Sequence, residues 1–376
     1  MRHYATVLIG VVLVLLCIGL VVLASTGSVR GDAAFGDPYY FIKRQMIWAA
    51  VALAAGFGLA RFDYRHWQKL AIPVYVAGIA LLALTMAVGV TVKGSTRWLS
   101  LGPLSVQPSE LAKFSTVVAL CAWLAHCGRR VKRFKEGMIL PGLLLAVPMG
   151  FVFLEPDFGT TFLMGLVGGT LLWAGGTRLS YLTVAGFSGL CAFILAVSRD
   201  PVRMGRVMAF LDPEKHRDVS YHLMQSEIAF VNGGLFGVGL GNSMQKQYYL
   251  PEAHTDFIFA IVGEEMGFVF TFLVVALFAT ILLCGLMISF RAADPFGKLL
   301  AFGLTMTITL QALINIGVVT GCLPTKGIAL PFMSYGGTSL AMSVAMVAVL
   351  VNIARHDDAA YRDRRARAVK NRLHRF

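Results

Sequence analysis

Charge is scarce in this chain: 14% of its 376 residues are charged, against 57% hydrophobic. That is too little charge to coat one soluble domain and too much apolar content for a disordered chain. Close cysteine pairs are missing too. Cys17, Cys121, Cys127, Cys191, Cys284 and Cys322 form no C-x-x-C spacing and lie mostly inside apolar runs. A disulfide scaffold is thereby excluded, and a metal or redox centre has no footing. No Walker loop, Rossmann fingerprint, serine-centred triad or zinc-binding histidine pair stands in a context that would let it work. ATP-driven work by this chain is therefore not expected.

What the sequence has in abundance is uninterrupted apolar length. Stretches such as 7–25 and 70–92 carry no charge, and each reaches the roughly 20 residues that cross a bilayer as helix. Ten spans are expected, near 7–26, 45–60, 70–90, 111–127, 138–154, 160–176, 179–197, 266–289, 299–321 and 337–354. The fold class is thus an all-α polytopic membrane protein, since a helix satisfies its own backbone hydrogen bonds in lipid. The first apolar run exceeds the ~7–15 residues of a signal-peptide core and reads as an uncleaved span.

The net charge of +13 is a topology signal. Basic residues crowd between apolar runs, at Arg129, Arg130, Lys132, Arg133 and Lys135 and again from Arg355 to Arg375. With the N-terminus inside, 20 of the 33 Lys and Arg fall on the inner side, mostly in short connections, where the positive-inside rule has force. Both termini are expected to be cytoplasmic. Residues 1–356 form the membrane domain and 357–376 a basic tail, with a large extracytoplasmic loop, 198–257, between spans 7 and 8. Such clusters suit anionic lipid and not nucleic acid. Within the loop, YHLMQSEIAFVNGG has helical period, with Tyr221, Met224, Ile228 and Val231 on one side.

Ionisable residues beside membrane spans are costly and are the places to look for function. Four clusters qualify, all at the outer ends of spans. In 89–114, Lys93 and Arg97 precede a Gly/Pro turn, and Glu110 and Lys113 sit three apart on one helix face; a local ion pair or a charged cavity wall would each account for them. In LEPDFGTT, Glu155 and Asp157 flank a proline between two spans, as a helix cap or a second acidic wall. In YLPEAHTDFIFAIVGEEMGF, His254, Thr255, Asp256, Glu264 and Glu265 are more polar than a cap requires, and a helix starting near Asp256 would put Asp256 and Glu264 on one face. In GVVTGCLPTKGIALPFMSYGGTS, Pro and Gly break the helix, leaving Lys326 and Ser334 in irregular backbone that has to be buried or line a cavity. The residues alone leave an enzyme acting on a lipid-linked substrate and a transporter both open.

The same stretches carry a resemblance. KGSTRWLSLGPLSVQPSELAKF, EPDFGTT, YHLMQSEIAFVNGGLFGVGLG, PEAHTDFIFAIVGEEMGF, LPTKGIALPFMSYGGTS and VNIARH, spread over 93–356, resemble the SEDS family of shape, elongation, division and sporulation proteins, and its division members more than its elongation members. The resemblance implies a peptidoglycan glycosyltransferase that polymerises lipid II at the outer face of the bacterial cytoplasmic membrane. A lipid II flippase and a non-catalytic division scaffold are the alternatives. It also implies a class B penicillin-binding protein (an FtsI-like transpeptidase) and other divisome proteins as partners, and a divalent cation, Mg2+ or Mn2+, whose ligands it leaves unassigned. The family's essential aspartate falls on Asp256, expected to be the general base. Arg97, Lys113 and Lys326 are expected to meet the diphosphate. Glu110, Glu155, Asp157, His254, Thr255, Glu264 and Ser334 are expected to support the polar cavity.

Overall fold

A computed structural model describes residues 2–92, 95–101 and 104–373, without the side chains of Val92, Leu101, Leu104, Tyr248 and 357–373. Lys93 and the side chains of the basic tail lie outside the described residues. The helices are α1 (Arg2–Phe35), α2 (Tyr40–Leu59), α3 (Arg65–Lys69), α4 (Ala71–Val88), α5 (Pro108–Cys127), α6 (Leu140–Leu154), α7 (Phe158–Ala174), α8 (Leu179–Ser198), α9 (Pro201–Leu211), α10 (Arg217–Gly233), α11 (Ile258–Arg291), α12 (Pro295–Val319) and α13 (Gly337–Leu373). Eight of them are long and apolar enough to cross a membrane, so the chain is a multi-span, largely helical membrane protein. The remaining two expected spans fall on α2 and on the shorter apolar α7.

Local chemistry sets where several helices start. Asp157, Asp200 and Asp294 cap α7, α9 and α12, each side chain accepting from backbone N–H groups one turn on. Such caps satisfy donors that a helix start leaves orphaned. Pro201 and Pro295 follow two of these caps, where a missing N–H costs nothing.

The interior is formed by α1, α5, α11, α12 and α13, while α8 has no buried residue and packs on α7 and α9. Two features depart from the sequence expectation. Between α4 and α5, β1 (Val90–Val92), β2 (Ser95–Leu101) and β3 (Leu104–Val106) pair as a small antiparallel meander, so the chain is not purely helical. Its alternation was hidden by the glycine- and proline-rich composition around it. The 198–257 segment, in turn, is not structureless: α9 and α10 occupy much of it, and α10 covers the segment whose helical period is visible in sequence.

The remainder of that segment is held by a break in α11. Gly267 adopts φ 78° and ψ −176° inside α11, a backbone region essentially restricted to glycine. The break releases hydrogen-bonding groups that a continuous helix would use internally, and the loop after α10 takes them. Phe268 and Val269 donate to the carbonyls of Gly234 and Leu235, while Val238 and Gly239 donate to those of Glu264 and Glu265. A Cβ on Gly267 would lie 2.4 Å from the backbone nitrogen of Gly237. Gly267→Ala therefore combines a clash with a disallowed conformation, an overpacking cost of about 1–3 kcal/mol or more. It is expected to lower the melting temperature of the detergent-purified protein by several degrees. Gly10→Ala, which meets open space, is expected to leave melting unchanged.

Candidate functional site

Between α12 and α13, residues 324–330 run without helix or strand, yet Ile328 and Leu330 are buried. This segment brings three of the four sequence clusters together. Asp256 lies half-buried in the turn before α11, with its carboxylate against the segment: a Cβ on Gly327 would come within 2.8 Å of Asp256 Oδ2. Only a residue without a side chain leaves the carboxylate that space. The Asp256 carbonyl accepts from Asn315 Nδ2 at 2.7 Å, and the same amide nitrogen donates to the carbonyl of Ile328, also at 2.7 Å.

The residues before Asp256 are pinned from the other end of the segment. Ser334 Oγ donates to the Thr255 carbonyl at 2.6 Å and accepts from the N–H of Leu330 at 2.8 Å. The Tyr335 N–H donates to the His254 carbonyl. The buried His254 ring sits between Phe41 and Tyr335, with centroids 4.8 and 5.9 Å away. Gln45 of α2 donates to the Ser334 carbonyl and accepts from the Gly336 N–H.

Lys326 points to the other side. Its ammonium stands over the rings of Phe162 and Phe193, 4.4 and 5.0 Å from their centroids, a cation–π arrangement. Burial lowers its pKa and nearby Asp157 offsets part of that effect. Asp157 caps α7 through both the N–H and the hydroxyl of Thr160. Arg97, from β2, donates to the carbonyls of Glu155 and Pro156 at 3.0 and 2.6 Å and so holds the turn between α6 and α7. Arg203 stacks over Phe158 at 3.3 Å. A cluster of three cations, Arg97, Arg203 and Lys326, thus surrounds one acidic turn.

Glu155 in that turn is 2% exposed, and neither carboxylate oxygen has a hydrogen-bond partner. Burial, with Asp157 adding to it and Arg97 opposing, raises its pKa to about 7. Among the described residues no group of three or more His, Cys, Asp or Glu could hold a metal by itself. The unpartnered Glu155 beside Asp157 fits a Mg2+-type ion that takes one or two carboxylates and completes its shell with water and phosphate oxygens.

Lys113 is 3% exposed. Its ammonium is shared between Glu110, at 3.0 Å, and Gln311 Oε1, at 2.8 Å. Gln311 in turn donates to the Ala329 carbonyl at 2.9 Å. The Glu110–Lys113 pair is therefore an internal support reaching the central segment through α12. A small crevice, lined by Lys113, Thr116 and Thr307 among apolar residues of α5, α6, α7 and α12, adjoins it. Glu264 does not join this group. Because α11 begins at Ile258, Asp256 precedes the helix, and Glu264 is buried against Ser243 and the N–H groups of Met244 and Gln245. Sequence reasoning missed Gln311, Asn315, Gln45 and Arg203. Gln311 and Asn315 had a signal: two amides four residues apart inside an apolar span.

Comparison with known proteins places this geometry. A family model described as cell cycle protein, covering FtsW, RodA and SpoVE, matches residues 5–359. A protein of Geobacter metallireducens named "Probable peptidoglycan glycosyltransferase FtsW" is 38% identical over 355 residues, 94% of this chain and 95% of that one. A Coxiella burnetii protein of the same name is 39% identical, covering 90% and 93%. Among solved structures, a chain from a peptidoglycan synthase complex that coordinates polymerization and crosslinking matches with TM-score 0.77 and 27% identity, over 93% of this chain and 97% of that one. The rod shape determining protein RodA of Thermus thermophilus matches with TM-score 0.70 and 27% identity, over 93% and 95%.

The Glu155 environment makes a pH prediction. Its pKa is about 7 when folded against an ordinary 4.5. The folded state therefore holds more protons than the unfolded one between those values. Stability from this group is fully present below about 4.5 and is lost as pH rises through about 7. Glu155→Gln, neutral throughout, is expected to melt above wild type at pH 8 and to come level with it only below the ordinary carboxylate value of about 4.5. Equal melting at pH 8 would mean the carboxylate is neutralised in the fold.

Proposed function

The chain belongs to the FtsW/RodA/SpoVE family of cell cycle proteins, and on that footing we propose that Asp256 is its catalytic base. The protein is a multi-pass inner-membrane peptidoglycan glycosyltransferase of cell-wall synthesis. The substrate is lipid II, and the product is a β-1,4 glycan strand at the outer membrane face during septal synthesis. Ten spans, both termini in the cytoplasm and residues 198–257 outside complete the topology we propose. The observation that supports this reading best is the half-buried Asp256 carboxylate lying against Gly327, one residue from Lys326.

The chemistry is a single in-line displacement. The acceptor's 4-hydroxyl attacks the donor's anomeric carbon, and the hydroxyl proton passes to Asp256. The bond from that carbon to the diphosphate oxygen breaks, and the lipid diphosphate departs with the electron pair. One displacement converts the α-linked donor to a β-linked product. The base has to approach the hydroxyl within roughly 2.6–3.2 Å in the reactive complex. The leaving group is already a good anion and needs charge compensation more than a proton. Lys326 and Arg97 face the turn where that charge would sit, whereas Lys113 is committed to Glu110 and Gln311 and maintains the frame.

A divalent cation, Mg2+ or Mn2+, would be held by Glu155 and Asp157 and would neutralise diphosphate charge. The protein acts in the divisome, and we assign it a class B penicillin-binding protein as partner, which would add crosslinking to polymerisation as in the related synthase complex.

Asp256→Asn keeps the side chain's size and removes its basicity. Purified with its partner and given lipid II, it is expected to make no glycan polymer, a loss of at least roughly 100-fold, while still folding and copurifying with the partner. Wild-type glycan from that variant would sink the base assignment.

A further inference from the structure

The central segment and the base are joined by one side chain that belongs to neither. Asn315 lies on α12, is 2% exposed, and its amide nitrogen donates at 2.7 Å to two carbonyls, those of Asp256 and Ile328. The two acceptors fix the amide's orientation, because the flipped amide would set its oxygen against both carbonyl oxygens. Four residues earlier on the same helix, Gln311 bridges the Lys113 ammonium and the Ala329 carbonyl. Two consecutive carbonyls of the segment, at 328 and 329, are therefore held by two side chains one turn apart on a rigid helix. The shared amide of Asn315 fixes the distance from that segment to the backbone of Asp256.

We propose that Asn315 is a positioning residue of the polymerisation reaction: it sets the Asp256 carboxylate relative to Lys326 and Gly327 by clamping both backbones to α12. This rests on the reading of Asp256 as base. Asn315 itself touches no reacting atom. Removing its amide leaves two buried carbonyls without that donor and lets the turn before α11 shift against the segment. A displacement of about 1 Å at a reacting group costs on the order of 100-fold in rate. The loss should fall on kcat and not on KM, because the clamp positions the base and not the groups that bind substrate.

The test is steady-state polymerisation of lipid II by the full chain with its partner. Asn315→Ala is expected to lower kcat by about 100-fold with KM within about threefold, and to keep partner copurification. Thr309→Ala, which removes a hydroxyl bonded only within α12, is the control and should match wild type. Asn315→Ala opens a buried gap, so Asn315→Asp, close to the native side chain in size, supplies a second readout. Its carboxyl can donate to one carbonyl only when protonated, so its activity relative to wild type should climb as pH is lowered. Wild-type kcat for Asn315→Ala, or full activity of Asn315→Asp at neutral pH, overturns the clamp. Asp256→Asn run alongside separates the two readings: wild-type polymer from it overturns the base reading, whereas its inactivity together with wild-type kcat for Asn315→Ala overturns the clamp alone.

Discussion

Buried backbone without helix or strand is the constraint around which this molecule is arranged. Each N–H and C=O in such a segment must find a partner inside the protein, because an unsatisfied buried polar group costs roughly 1–3 kcal/mol. Residues 324–336 supply only some of these partners to one another, as where the Leu330 N–H donates to Ser334 Oγ. Others come from elsewhere: Asn315 and Gln311 on α12 and Gln45 on α2. The site is consequently assembled on helices, although the residues that define it lie in loops. Helix-borne side chains fixed by hydrogen bonds at both ends of their amides hold a loop on a rigid support.

The same constraint shapes the outer segment. Breaking α11 at Gly267 frees two carbonyls and two N–H groups, and the glycine-rich loop after α10 satisfies all four in a reciprocal exchange. The buried charges nearby follow the corresponding rule for ions, since an unpaired buried charge is far more costly than a paired one. Glu264 accepts from Ser243 and two backbone N–H groups, and Glu265 takes Lys246 and Ser25. These carboxylates fasten the loop to α11. The turn containing Asp256 lies between that fastened loop and α11 in the chain, and Asn315 and Ser334 hold its carbonyls.

This division explains what could be read from the amino acids alone. Span positions follow from hydropathy, which is local and large, and α1, α4, α8 and α12 stand where apolar runs place them. The acidic and basic clusters were legible because charge beside apolar sequence is conspicuous. Roles within the clusters were not. Glu264 and Asp256 look equivalent eight residues apart, and only the start of α11 at Ile258 separates them. Lys113 looks like an anion binder until Gln311, 198 residues away, takes one of its donors. The β meander was masked by short strands of mixed composition. For Lys113 the deciding contact joins residues distant in sequence, which no local pattern reveals.

The placement of charge along the central segment has a simple geometric origin. Residues 326 and 327 are adjacent in a segment with neither helix nor strand, and they face different neighbours. Lys326 accordingly turns toward Phe162, Phe193 and Asp157, while the Cβ direction of Gly327 meets Asp256. The Asp256 carboxylate and the Lys326 ammonium thus lie against adjacent residues of one irregular segment and face different neighbours. Their spacing is then a property of the segment itself, and the segment is only as well placed as the amides of α12 that hold its carbonyls.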